Sequence, residues 1–162
     1  MLIDRADRDI YNAKWLISSD GNPSNDELLN DMAAYHVQQG IEKALKHALH
    51  TVCGLDETYK GYRTHDIMTL INIVMDHSDL SVSERLMDAA NDITGWEAHS
   101  RYDDSPVSVR KDIADAIDMY EELTRQILEK EKDILESENK GKAENTENID
   151  NTNNTDNTGE TP

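Results

Sequence analysis

Between Ala34 and His50, the sequence AYHVQQGIEKALKHALH crowds Gln38, Gln39, Glu42, Lys43, Lys46 and three histidines onto one segment. Val37, Ile41, Ala44, Ala48 and Val52 recur every three to four residues, as one buried helix face would, so the polar side chains fall on the other sides of that helix. His47 and His50, three apart, have a spacing at which one helix can offer two imidazoles to a transition metal. The remaining ligands are missing from the pattern: there is no H-E-x-x-H motif, and Cys53 is the only cysteine. His36, Lys43, His47 and His50 are therefore expected to form a solvated stripe, with no metal and no cofactor. Gln39 with Lys43, and Glu42 with Lys46, are each four apart. On an exposed helix such pairs contribute about 0.3–0.5 kcal/mol apiece.

Apolar periodicity and turn residues predict the elements that would position these groups. A first helix runs from about Asp4 to Ser18 on the stripe Ala6, Ile10, Ala13 and Ile17, and SSDGNPS ends it. Ser24 followed by Glu27 has capping-box spacing and opens a second helix reaching about Cys53, where Gly54 can supply a left-handed turn. After the loop LDETYKGY, Thr64 is placed to cap a third helix from about His65 to Asp76, buried through Ile67, Leu70, Ile71 and Val74. Ser81 and Glu84 give another capping box for a helix from about Val82 to Ser100, with Leu86, Ala89, Ala90, Ile93 and Trp96–Glu97 inward. Ser105 before Pro106 starts a fifth, reaching Glu136 through Ile113, Ile117, Tyr120, Thr124, Ile127 and Ile134. Period-two alternation is absent, so the expected fold is all-α, an up-and-down bundle of about five helices over residues 1–136.

Composition sets the remaining bounds. From Ser137 the chain turns rich in Asn, Thr and Glu, so residues 137–162 read as a disordered tail without a core-forming pattern. Acids outnumber bases 34 to 16, for a net charge of −18. Nonspecific nucleic-acid binding depends on neutralising phosphates, and this average field opposes it. A single cysteine excludes an intramolecular disulfide, and Cys53, beside Val52 at a helix end, reads as a buried inert thiol. The start of the chain lacks a signal-peptide core, and no uncharged run is long enough to cross a bilayer, so a cytoplasmic protein is expected.

Three segments in order, QGIEKALK at Gln39–Lys46, THDIMTL at Thr64–Leu70 and SRYD at Ser100–Asp103, resemble the HEPN domain, a family of helical bundles associated with nucleotide and RNA functions. The resemblance extends over about Ile3 to Leu128, including ADRDIYNAKWLI of the first helix. It maps Gln39, Glu42, Lys43 and Lys46 onto the family's polar second-helix positions, His65 and Asp66 onto its T-H-D turn, and Arg101 and Tyr102 onto its R-Y pair. The family usually follows that pair with proline and an acid; here Asp103 and Asp104 follow directly and Pro106 is displaced.

HEPN ribonucleases carry an arginine followed four to six residues later by a histidine, the histidine moving protons and the arginine meeting phosphate charge. After Arg101 the residues at that distance are Ser105, Pro106 and Val107, none of which shuttles protons near neutral pH. His99 and His65 are the alternative proton carriers. For His65 and Asp66 the first turn of the third helix offers structural roles, an acid there being favoured by the helix dipole. The resemblance thus implies a noncatalytic binding or regulatory module that forms a homodimer and partners a small nucleotidyltransferase, in a toxin–antitoxin or related two-gene system. Two alternatives remain open: a ribonuclease toxin with a rearranged Arg101–His65 or Arg101–His99 pair, and nucleotide binding without turnover, with Lys43, Lys46 or Arg101 on the phosphates. The apolar length of the fifth helix offers a physical argument for the dimer.

Overall fold

The computed structural model describes residues 1–102 and 109–152, with side chains described over 1–97 and 109–141. Five α-helices follow in order: α1 (Leu2–Ile17), α2 (Glu27–Thr51), α3 (Ile67–His77), α4 (Glu84–Tyr102) and α5 (Arg110–Thr152), with a 3-10 turn at Lys60–Arg63 between α2 and α3. Among the described residues there is no strand, and no helix is long and apolar enough to cross a membrane. The expected all-α bundle is what the chain forms.

The centre of the bundle is α2, against which α1, α3, α4 and α5 all pack. Small residues make this possible: Ala33, Ala34, Ala44 and Ala48 are fully or almost fully buried, so neighbouring helices approach closely. Gly40 marks a close approach of α1 to α2. A Cβ there would lie 2.8 Å from Ile10 Cδ1, so only a hydrogen lets α1 lie this near. The other helices each bury one stripe, Ile3, Ala6, Ile10 and Ala13 on α1 and Ile67, Leu70, Ile71 and Val74 on α3. On α4 the stripe is Leu86, Ala90, Ile93 and Trp96. Tyr120 on α5 donates its hydroxyl to Asp7 Oδ1 at 2.7 Å, fixing α5 to α1.

Several helix starts differ from the sequence expectation. Asp26, not Ser24, caps α2, accepting from the amides of Leu28 and Leu29 at 2.9 and 3.2 Å. Buried Asn22 sets this up: its carboxamide accepts from the Asp26 amide and donates to the Asp26 carbonyl, holding that carboxylate at the helix end. Asp66, not Thr64, caps α3, taking the Thr69 amide at 2.6 Å, while Thr64 Oγ1 supports the Asp66 amide. His65 therefore precedes the helix instead of lying in its first turn. α4 starts at Glu84, and the Ser83 carbonyl takes the Leu86 and Met87 amides, leaving Ser81 outside. The Ser105–Pro106 cap of α5 lies outside the described residues. At the far end of α2, Gly54 adopts the expected left-handed conformation (φ +67°) and the Leu55 amide returns to the Leu49 carbonyl.

α5 continues to Thr152, past the expected end near Glu136, but its packing stops earlier. Among the residues whose side chains are described, Ile134 is the last partly buried one, and every residue from Leu135 to Gly141 is exposed. Ile113, Ile117, Tyr120 and Ile127 are buried within the chain's own core, so the stripe that suggested a dimer interface is used inside the monomer. Cys53 is half-buried, its thiol 3.8 Å from the Val74 carbonyl and pushed up in pKa by that burial.

Candidate functional site

The polar face of α2 forms a continuous hydrogen-bonded run instead of a solvated stripe. It begins on α1, where Asp9 takes Lys43 Nζ at 2.5 Å on one oxygen and faces His36 Nδ1 at 3.1 Å with the other. Lys43 also donates to Gln39 Oε1 at 3.4 Å, Gln39 donates to Gln38 Oε1 at 2.8 Å, and Gln38 donates to Glu42 Oε2 at 3.0 Å. Donors and acceptors thus run in one sense, from the ammonium of Lys43 to the carboxylate of Glu42. Gln38 is fully buried and Glu42 is 5% exposed, so this run lies inside the bundle, where each satisfied partner matters more than at the surface.

Glu42 is the terminus and the hub. Its Oε1 accepts from Lys46 Nζ at 2.9 Å and faces His65 Nδ1 at 3.1 Å. Burial alone would raise its pKa, but the hydrogen bond and charge of Lys46, then those of His65, outweigh that penalty and hold the carboxyl below its ordinary value. The Lys46 ammonium also stands 5.8 Å from the centre of the Tyr62 ring, a cation–π distance. Among the described residues His65 is held through Nδ1 alone, and its side chain is 66% exposed.

α4 closes the same corner. Thr94 Oγ1 accepts the Ile67 amide at 3.0 Å, tying α4 to the start of α3, and Glu97 lies one turn further along. One ligand atom each from Glu42, His65 and Glu97 fall within 4.8 Å of one another, a carboxylate–imidazole–carboxylate set that could hold a divalent ion. Lys46 already balances the Glu42 charge, so an ion there would compete with it. Arg101 follows Glu97 by four residues on α4, and His99, Arg101 and Tyr102 belong to its last two turns. Their side chains, and Asp103 and Asp104, lie outside the described residues.

Two of the three segments singled out in the sequence meet at one corner, α2 through Glu42 and Lys46 and the T-H-D turn through His65, and Glu97 of α4, which precedes the SRYD segment, joins them there. Gln39 and Lys43 belong to the same run but face α1, and Asp66 serves as a helix cap. The histidine stripe needs correction: His47 is 4% exposed, its Nε2 2.8 Å from Glu131 Oε1 but out of line for a hydrogen bond, while His50 is exposed. The weak surface pair expected of Glu42 and Lys46 is likewise a nearly buried one. The sequence placed Gln38 in the polar set of the second helix and Glu97 on the inward stripe of the fourth without marking either as a member of the site, and Asp9 gives no signal, because its partner lies 34 positions away.

The HEPN domain family model matches residues 1–132. Comparison with curated proteins and with solved structures gives no match.

Proposed function

The chain belongs to the HEPN domain family, and from that premise we propose that it is a noncatalytic binding or regulatory module working through a partner protein. The observation that carries this reading is the engagement of the motif cations: Lys43 is held by Asp9, and Lys46 by Glu42 beneath Tyr62. A phosphate would have to displace a carboxylate at either lysine, in a chain of net charge −18. The sequence after Arg101 adds to this, since no histidine follows at the ribonuclease spacing. The motif residues then serve to set the junction of α2, α3 and α4. In this reading, supported by the family resemblance, the partner is a small nucleotidyltransferase in a toxin–antitoxin-type gene pair, and the chain acts in the cytoplasm as a homodimer.

One observation favours a second reading. Glu42 engages Nδ1 of an exposed His65, leaving Nε2 for proton transfer, and Arg101 lies on the helix that closes this corner. That arrangement would serve a ribonuclease with His65 as proton carrier and Arg101 at the phosphate. One assay separates the two: structured and single-stranded RNA are incubated with the parent protein and with Arg101→Ala, His65→Ala and His99→Ala. The module reading expects no cleavage by any of them. Cleavage by the parent that Arg101→Ala abolishes, with the fold retained, would replace it by the ribonuclease reading, and loss in one histidine variant would name the proton carrier.

A further inference from the structure

Between α4 and α5 runs an open groove of about 580 Å³. Its floor is apolar, formed by Trp96, Ala116 and Met119, each more than nine-tenths buried. Its two walls are acidic: Asp92 stands on α4, and Asp112 and Asp115 stand on α5. Among the described residues no lysine or arginine lines it. Trp96 belongs to this groove, whereas the next residue, Glu97, turns to Glu42 and His65, so the groove and that corner use different faces of α4.

The charge of this groove is open. In the groove between α1 and α5, Lys14 pairs with Glu121 and Arg125 with Glu129, so the charge is closed within the chain. Asp92 and Asp112, in contrast, enter no hydrogen bond or ion pair among the described residues. Asp115 has only Lys111 at 3.9 Å, a side chain that is 82% exposed. The start of α5 places about half a positive charge beside Asp112, too little to offset three carboxylates. Phosphates and nucleic acids are therefore repelled. A hydrated metal ion would use the carboxylates and leave the apolar floor against water. The volume is that of a small-ligand site, whereas a stable protein interface buries more than about 1,000 Å². The ligand that fits is apolar along its length and cationic at more than one point. We propose that the α4–α5 groove binds a linear aliphatic polyamine, with its methylenes on Trp96 and Met119 and its ammonium groups on Asp92 at one wall and Asp112 and Asp115 at the other. This goes beyond the binding-module reading and does not depend on it.

The test is calorimetric titration of the full chain with spermidine at physiological ionic strength. The parent should bind a single equivalent saturably, in the submillimolar range. Asp92→Asn and Asp112→Asn should each weaken binding by about fivefold, the upper end for an exposed ion pair, with unchanged far-UV circular dichroism. If Asp112→Asn fails to fold, Asp115→Asn takes its place. Glu129→Gln removes the same charge outside the groove and should bind as the parent does. Fluorescence locates the ligand: Trp15→Phe leaves Trp96 as the only indole, and its emission should change with spermidine and not with magnesium chloride at equal ionic strength. Absence of saturable binding overturns the proposal. So does uptake of several equivalents that ignores Asp92 and Asp112, which would be cation collection by the acidic surface as a whole. An oligolysine peptide that binds more tightly than spermidine and loses affinity in the same variants would assign the groove to a basic partner protein, and would overturn the proposal too.

Discussion

Glu42 and His65, 23 positions apart in sequence, meet through Oε1 and Nδ1 at 3.1 Å, with the carboxylate buried and the imidazole mostly in solvent. The contact joins the central helix to the turn before α3. It makes a buried charge depend on a surface group.

Glu42→Gln should cost about 2 kcal/mol at neutral pH, because Lys46 and His65 lose the carboxylate that satisfies them. The Glu42 pKa is depressed in the folded state, so its contribution is complete above the unfolded value and disappears as pH falls through the folded one. Urea denaturation of parent and variant from neutral to acid pH should show the stability gap closing on the acid side. A gap that is constant with pH would mean the cost is steric.

Gly40→Ala brings a Cβ within 2.8 Å of Ile10 Cδ1. The helix gains about 1 kcal/mol of propensity, but overpacking costs about 1–3 kcal/mol, so a net loss is expected. Ile10→Val removes the obstructing methyl, and Gly40→Ala should cost less in that background than in the parent. Equal costs in thermal melts of the two backgrounds would show that the Ile10 Cδ1 methyl is not the obstacle.

Tyr120→Phe removes the hydroxyl that α5 donates to Asp7 and should lower stability by about 1 kcal/mol. Burial, then the Asp7 hydrogen bond, raises the Tyr120 pKa far above the ordinary tyrosine value. One phenol should therefore escape ionisation in an alkaline absorbance titration until the chain unfolds, and the variant should lack that late step.

Deleting residues 137–162 should leave the melting temperature nearly unchanged, since α5 buries nothing from Leu135 to Gly141. A fall of several degrees in calorimetry would mean that the segment docks on the bundle.

The apolar stripes were legible in the sequence because helical spacing and burial follow the same period: the four core residues expected of α3 are the four it buries completely. Helix starts were less legible. Ser24 and Asp26 both suit a cap, and the choice was made by Asn22, which the capping pattern does not include. The burial of Glu42 and His47 was not legible because one apolar stripe marks one buried face, whereas α2 is covered by four neighbours. Its alanines and Gly40 were the available sign of a helix enclosed on several sides. Asp9 was invisible as a partner because nothing local marks which carboxylate of α1 will face Lys43.

The one-way run from Lys43 through Gln39 and Gln38 to Glu42 also governs how substitutions combine. With a donor-only ammonium at one end and an acceptor-only carboxylate at the other, the two carboxamides cannot turn over, singly or together, without setting donor against donor and acceptor against acceptor. Asp9 anchors the ammonium at one end and Glu42 receives the last donor at the other. The cost of Asp9→Asn should therefore depend on whether residue 42 is still a carboxylate. In a double-mutant cycle the two positions should behave as neighbours, though they sit on different helices and no hydrogen bond joins them directly.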